Sequence, residues 1–206
     1  YGKIKMSSDV SKIISPFKFA LTGGPCTGKT TLLNALQKNG YQIVPETPTI
    51  VFEEEIKRTN KRPDPSTAEF QLKFMSKQLE FELKAHNNAH VFLDRSIVDI
   101  VGYCRFFGIT PPEELIKKVK SHRYDGAFLL SFLSFYETTE VRPEPLDVAK
   151  KIHAILKKTY EDFGYNLIEI PPVSVEERMK FVSEKINEIS IRQEKVAVEK
   201  IREGQL

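Results

Sequence analysis

The stretch Gly23-Gly24-Pro25-Cys26-Thr27-Gly28-Lys29-Thr30 fits the pattern G-x-x-x-x-G-K-S/T, and its surroundings constrain the fold more than any other feature of the chain. A short apolar run, Phe17 to Leu21, leads into it, and from Thr30 the apolar residues change to helical spacing through Leu32, Leu33 and Leu36. Strand, glycine loop and helix in that order make a cradle for phosphate. The glycines let the backbone wrap with its N–H groups inward, and the helix start adds the positive end of its dipole. The expected nucleotide-binding residues are therefore Gly23, Gly24, Pro25, Cys26, Thr27, Gly28, Lys29, Thr30 and Thr31. Lys29 is expected to reach the terminal phosphates as a point charge. The Thr30 hydroxyl completes the coordination of Mg2+, and Thr31 contacts the alpha phosphate. A glycine turn that binds nothing needs no lysine and hydroxyl directly after its second glycine. Cys26 at a helix start invites a redox reading, but a spacer in the loop is the simpler one.

Beyond the loop, the pattern alternates strands and helices. Tyr41 to Val44, Val91 to Leu93, Phe128 to Phe132 and Asn166 to Ile170 add four apolar runs to the first. Gly40, Gly108 and Gly164 suit the left-handed position past a helix end. Ser66 with Glu69 has capping-box spacing, and Leu72, Met75, Leu79 and Leu83 mark the face of a long helix after it. Ser96 with Asp99 and Thr110 with Glu113 open two short helices. Val148, Ile152, Ile155, Leu156 and Phe163 form another helical stripe, and Val175, Met179, Val182, Ile186 and Ile189 form the last. Five strands separated by helical segments imply a parallel sheet with helices on both faces, an α/β fold of three layers.

At 206 residues one domain is expected, over 17–190. Residues 1–16 read as an N-terminal arm or an expression remnant without the pattern of a signal peptide, and 191–206 as a charged helical tail, solvated or loosely docked. The formal charge of +3 comes from lysines interleaved with glutamates, so no nucleic-acid footprint is expected. No apolar run reaches the ~18 residues of a membrane span. The two cysteines, Cys26 and Cys104, do not make a disulfide framework, which points to a reducing, cytoplasmic setting.

Chemistry concentrates where strands end. Asp94 closes the strand Val91 to Leu93 at the edge where open parallel sheets bind ligands, so it is the second expected metal-site residue. Capping the next helix suits Ser96 better. Arg95 then faces the same cleft and can hold the substrate or the transferred phosphate. Glu46 follows the second strand. It reads either as the general base that orients an acceptor hydroxyl or as a surface glutamate in a turn between Pro45 and Pro48. Ser134 to Pro145 carries Arg142 between Glu140 and Glu144. It reads either as a lid delivering an arginine to the phosphates or as a loop whose arginine pairs with a neighbouring glutamate.

Together, Ala20 to Thr30, Val44-Pro45-Glu46 and Leu93-Asp94-Arg95-Ser96 with Asp99 and Tyr103 resemble the AAA-type P-loop family that includes the ribosylnicotinamide kinase domain of NadR and the TRPL-translocation-defect protein. The resemblance runs from about Phe17 to about Ile189 and takes in Gly164-Tyr165 and Pro171 to Arg178. It implies a nucleoside- or nucleotide-kinase-like fold with strand order 2-3-1-4-5. It also implies nucleotide binding at Gly23 to Thr31, an acid and arginine at Asp94 and Arg95, a matching glutamate at Glu46 and a lid around Arg142. No segment clearly identifies a base pocket.

Two functions fit these residues. In the first, a kinase moves the gamma phosphate of ATP or GTP to a hydroxyl of an unidentified small molecule such as a nucleoside. Lys29 and Arg142 act on the phosphates, Thr30 and Asp94 on magnesium and Glu46 on the acceptor. In the second, a nucleotide-switched regulator binds a protein or an anionic-lipid partner. The lack of an N-K-x-D guanine-reading segment favours ATP while leaving GTP open.

Overall fold

The computed structural model describes residues 16–85, 89–133 and 145–202. Its sheet has five strands, β1 (Lys18–Thr22), β2 (Gln42–Val44), β3 (Val91–Asp94), β4 (Gly126–Leu130) and β5 (Leu167–Ile170). They lie in the order β2-β3-β1-β4-β5, every neighbouring pair parallel. The described helices are α1 (Lys29–Lys38), α2 (Thr47–Thr59), α3 (Ala68–Lys84), α4 (Ile97–Phe107), α5 (Glu113–Ser121), α6 (Leu146–Asp162) and α7 (Val175–Arg202).

Alternation along the strands explains the three layers. Phe19 and Leu21 of β1, Phe92 of β3 and Phe128 and Leu130 of β4 pack with Leu32, Leu33 and Leu36 of α1 and Val182 and Ile186 of α7. The residues between them, Ala20, Leu93 and Ala127, pack on the other face with Phe74 of α3, Val101 of α4 and Tyr160 of α6. Both faces are covered, so the central strands read as unbroken apolar runs rather than as alternating ones. Small Ala20 and Ala127 face the bulkier helical layer, whereas Phe19 lies between Phe92 and Phe128 at centroid distances of 5.3 and 5.6 Å.

Several sequence expectations change: β4 runs Gly126–Leu130, two residues earlier than Phe128 to Phe132, and α5 is capped by Pro112 rather than Thr110. A helix not foreseen, α2, starts directly after Glu46 with Pro48 in its first turn, where a missing N–H and a fixed φ cost nothing. The prolines that read as a turn therefore open a helix. The N-cap of α3 is Thr67, whose side chain accepts from the Phe70 N–H, while Ser66 bonds Asp64 instead. The expected stripe faces the core only in part: Met75 is buried and Leu72 and Leu79 pack against the core, but Leu83 is 85% exposed, and the buried residues are Phe70, Gln71, Phe74, Met75, Gln78 and Glu82. Three of those six are polar, which hid the face from a hydrophobic count. Their burial is made tolerable by partners, since Gln71 donates to the Pro65 carbonyl, and Glu82 accepts from Tyr124 at 3.0 Å and pairs with His122 at 2.7 Å. The helical tail expected after position 190 is continuous with the last helix: α7 passes 190 without a break and carries exposed Ile191, Val196 and Ile201.

The expected capping box of α4 is present, Ser96 accepting from the Val98 N–H and Asp99 closing it through the Ser96 N–H. Gly40, Gly108 and Gly164 all have positive φ. The α3 correction has a direct consequence. Phe74→Ala should destabilise the fold by about 3–5 kcal/mol, whereas Leu83→Ala should stay within about 0.5 kcal/mol of wild type, read by urea denaturation.

Candidate functional site

β1 lies at the middle of the sheet, so the loop that follows it opens at the carboxyl edge between the ends of β3 and β4. Leu21 pairs with Asp94 and Thr22 with Leu129, which sets the glycine loop beside the last residue of β3. The loop returns on itself: Thr27 is fully buried and its hydroxyl donates to the Gly24 carbonyl at 3.0 Å. Gly28 precedes α1 at φ 84°, a left-handed conformation that glycine adopts without steric cost. Cys26 is partly buried within the loop at φ 59°. Thr30 and Thr31 are exposed at the start of α1.

Lys29 folds back into the loop, where Nζ donates to the carbonyls of Gly23 at 2.9 Å and Gly24 at 2.8 Å. Burial, reinforced by the nearby Arg95 charge, lowers its pKa from 10.5 to about 7. Arg95 has φ 70°, rare for a residue with a side chain, and the turn it makes sends its guanidinium under the loop. Its Nε donates to Glu46 Oε1 at 2.9 Å, and Nη1 lies 3.6 Å from Asp99 Oδ1 and 3.4 Å from the Gly23 carbonyl. Burial works against that charge, but Tyr103, Glu46, Asp99 and Asp94 hold the guanidinium protonated. Asp94 is partly buried, and its Oδ1 is a buried oxygen without a hydrogen-bond partner. Burial, with the Glu46 charge adding to it, raises the Asp94 pKa against the opposing pull of Lys29 and Arg95.

The structure thus brings Lys29, Glu46, Asp94 and Arg95 to one edge of the sheet. Arg142 and the segment 134–144 lie outside the described residues. At the strand end Asp94 Oδ1 is an orphaned carboxylate oxygen open to a cation that phosphates could help hold, and no group of three or more His, Cys, Asp or Glu that could hold a metal ion by itself occurs among the described residues.

Beside Glu46 and Arg95 opens a cavity of about 200 Å³. Phe52, Phe74, Tyr103 and Phe107 supply its apolar wall, and Gln71, Gln78 and Asp99 its polar points. Gln71 is 1% exposed and its Oε1 has no partner. Reasoning from motifs missed Gln71 because its place on the buried face of α3 follows from packing. Asp99 was read as a cap, yet it also accepts from Thr22 and from Tyr160 at 2.6 Å, which ties the ends of β1 and α6 to the Arg95 turn. His153 of α6 was also missed: its Nδ1 accepts from the Gly24 N–H at 3.3 Å, and burial followed by the Lys29 charge lowers its pKa.

The fold matches that of solved kinases. Thymidylate kinase from Ehrlichia chaffeensis superposes with a TM-score of 0.58 at 13% identity, covering 84% of this chain and 100% of that one. Deoxyadenosine kinase from M. mycoides, solved with dCMP and dCDP, gives 0.51 at 16% identity over 83% of this chain and 99% of its own. NadR in complex with NR gives 0.55 at 18% identity over 75% of this chain and 43% of its own. At such identities the likeness is one of fold, a three-layer α/β/α kinase-like arrangement around the phosphate loop. No curated protein matches the chain. A family model described as an AAA domain matches residues 18–178, and the chain belongs to that family, a P-loop, kinase-like group resembling NadR.

Proposed function

We propose that the protein is a small-molecule kinase that transfers the gamma phosphate of ATP, or GTP, to a hydroxyl of an uncharged, flat-ringed metabolite such as a nucleoside. The observation that carries this reading is the cavity beside the Glu46–Arg95 pair, adjoining the glycine loop through the bond of Arg95 to the Gly23 carbonyl. A donor seat and an enclosed acceptor seat that share one arginine suit transfer between two bound molecules. A nucleotide-switched regulator, in contrast, has no need of a lined cavity at that position.

Charge and shape narrow the acceptor. The charged groups of the cavity are Glu46, Asp99 and one guanidinium, Arg95, already engaged by both carboxylates, an arrangement that disfavours a doubly charged phosphate acceptor. Aromatic walls suit a ring, and Gln71 Oε1 suits an N–H on its edge.

In this reading the loop amides and Lys29 hold the phosphates, and Lys29 leaves its carbonyl partners for the terminal phosphate. Thr30 and Asp94 hold magnesium, which when bound neutralises charge on the phosphate oxygens. Glu46 orients the acceptor hydroxyl and takes its proton, while Arg95 keeps the Glu46 carboxylate turned into the cleft.

Nucleotide turnover measured against a nucleoside panel should rise with one or more acceptors. Lys29→Ala should abolish it, and Glu46→Gln should lower acceptor-dependent kcat by about a hundredfold. Acceptor-dependent turnover surviving intact in Glu46→Gln rejects the base assignment. A pH test probes the cradle separately. Lys29 is held near 7 in the fold and at 10.5 when exposed, so between those values the unfolded chain binds a proton that the fold does not, and rising pH favours the fold. The nucleotide-free protein should gain melting temperature relative to Lys29→Met as pH rises through that window, and saturating nucleotide should remove the trend. A wild-type-to-variant difference that stays flat refutes the buried ammonium.

A further inference from the structure

A second buried cation stands against the glycine loop, from the helix α7 that packs beside α1. Arg178, in the first turn of α7, is 2% exposed, and its three nitrogens are used unequally. Nε donates to the Pro171 carbonyl at the end of β5 at 3.1 Å, and Nη1 donates to the Thr27 carbonyl at 2.9 Å. Nη2 is buried and has no partner. No carboxylate lies within ion-pair distance of this guanidinium among the described residues. Burial alone depresses its pKa, so the fold bears an uncompensated charge that an apolar residue of similar volume would avoid.

What the charge achieves follows from peptide geometry. A trans peptide points its C=O and N–H in opposite directions. With the Thr27 oxygen drawn toward Arg178, the N–H of Gly28 in the same plane is turned away from Arg178. The guanidinium also fills the space beside Gly28, where a Cβ would come within 2.9 Å of Nη1. The Thr27–Gly28 plane is therefore held from two directions. Gly28 at φ 84° has the freedom to rotate that most residues lack, so without the clamp this plane has more ways to turn its carbonyl toward an incoming anion.

We infer that Arg178 is a positioning residue of the nucleotide seat: it clamps the Thr27 carbonyl outward so that the Gly28 amide faces the phosphates, and it adds a buried positive charge behind them. The role rests on nucleotide binding at the loop and not on the acceptor. It also makes one side chain the link between the loop, the end of β5 and the long helix α7.

Calorimetric titration of the full chain with Mg-ATP and Mg-GTP tests it, alongside melting of each nucleotide-free variant. Arg178→Gln should weaken the bound nucleotide by about tenfold or more at a temperature where its circular dichroism matches wild type. Arg178→Lys, which keeps the charge and reaches one carbonyl, should fall between the two. A merely structural arginine predicts a lower melting temperature with unchanged affinity in whichever variant folds, and that result overturns the assignment. Should Arg178→Gln fail to fold, Arg178→Lys with wild-type affinity overturns it equally. A wild type that binds neither nucleotide removes the seat itself and this role with it. Binding by wild type and Arg178→Gln alike removes the role alone.

Discussion

Buried positive charge around one glycine loop is the constraint on which the rest of this structure depends. Lys29 and Arg178 are both anchored by main-chain carbonyls of the loop, and Arg95 passes beneath it with two carboxylates for company. Carbonyl oxygens satisfy donors but do not neutralise charge, so the nucleotide-free fold carries a penalty that a bound polyanion lifts. Such an arrangement trades stability for binding, a common pattern at sites built for a charged ligand.

The sheet makes the trade possible. β1 is the central strand and is covered on both faces, so the loop it launches stands on a strand fully buried from Phe19 to Thr22. Behind the loop, Asp99 gathers Thr22, Ser96, Tyr160 and Arg95 into one buried network. Each polar member is satisfied by another, which is how a charged cluster persists in an interior of low dielectric. The same network sets the orientation of Arg95, whose strained backbone is the sort of local cost that a surrounding structure must over-determine.

The glycine loop and the cavity meet at Arg95. On one side lies the phosphate loop, on the other the cavity formed by α2, α3 and α4, with Glu46 at their boundary. Membership of a P-loop, kinase-like family and the likeness in fold to thymidylate, deoxyadenosine and NadR structures concern the scaffold that holds the loop. Under the proposed kinase reading, the cavity walls rather than the loop would select the acceptor, because the loop reads only phosphate.

Local signals in the sequence determined the phosphate loop, the five strands, the capping box at Ser96 and the placing of Asp94 and Arg95 at a strand end. Each depends on residues a few positions apart: glycine freedom, apolar period, a cap three residues from its partner. Tertiary structure alone decided the rest. Whether Glu46 lies in a turn or heads a helix depended on α2 packing Val51 and Phe52 against α3. The buried side of α3 is chosen by polar residues whose partners, Pro65, Tyr124 and His122, come from other segments. Arg178 meets Thr27 across 151 positions of chain, and no periodicity reports a contact of that range. Hydrogen bonds and charge pairs formed between distant segments leave no local pattern, which is why the phosphate loop can be read from the residues in order and the shape of its partner pocket cannot.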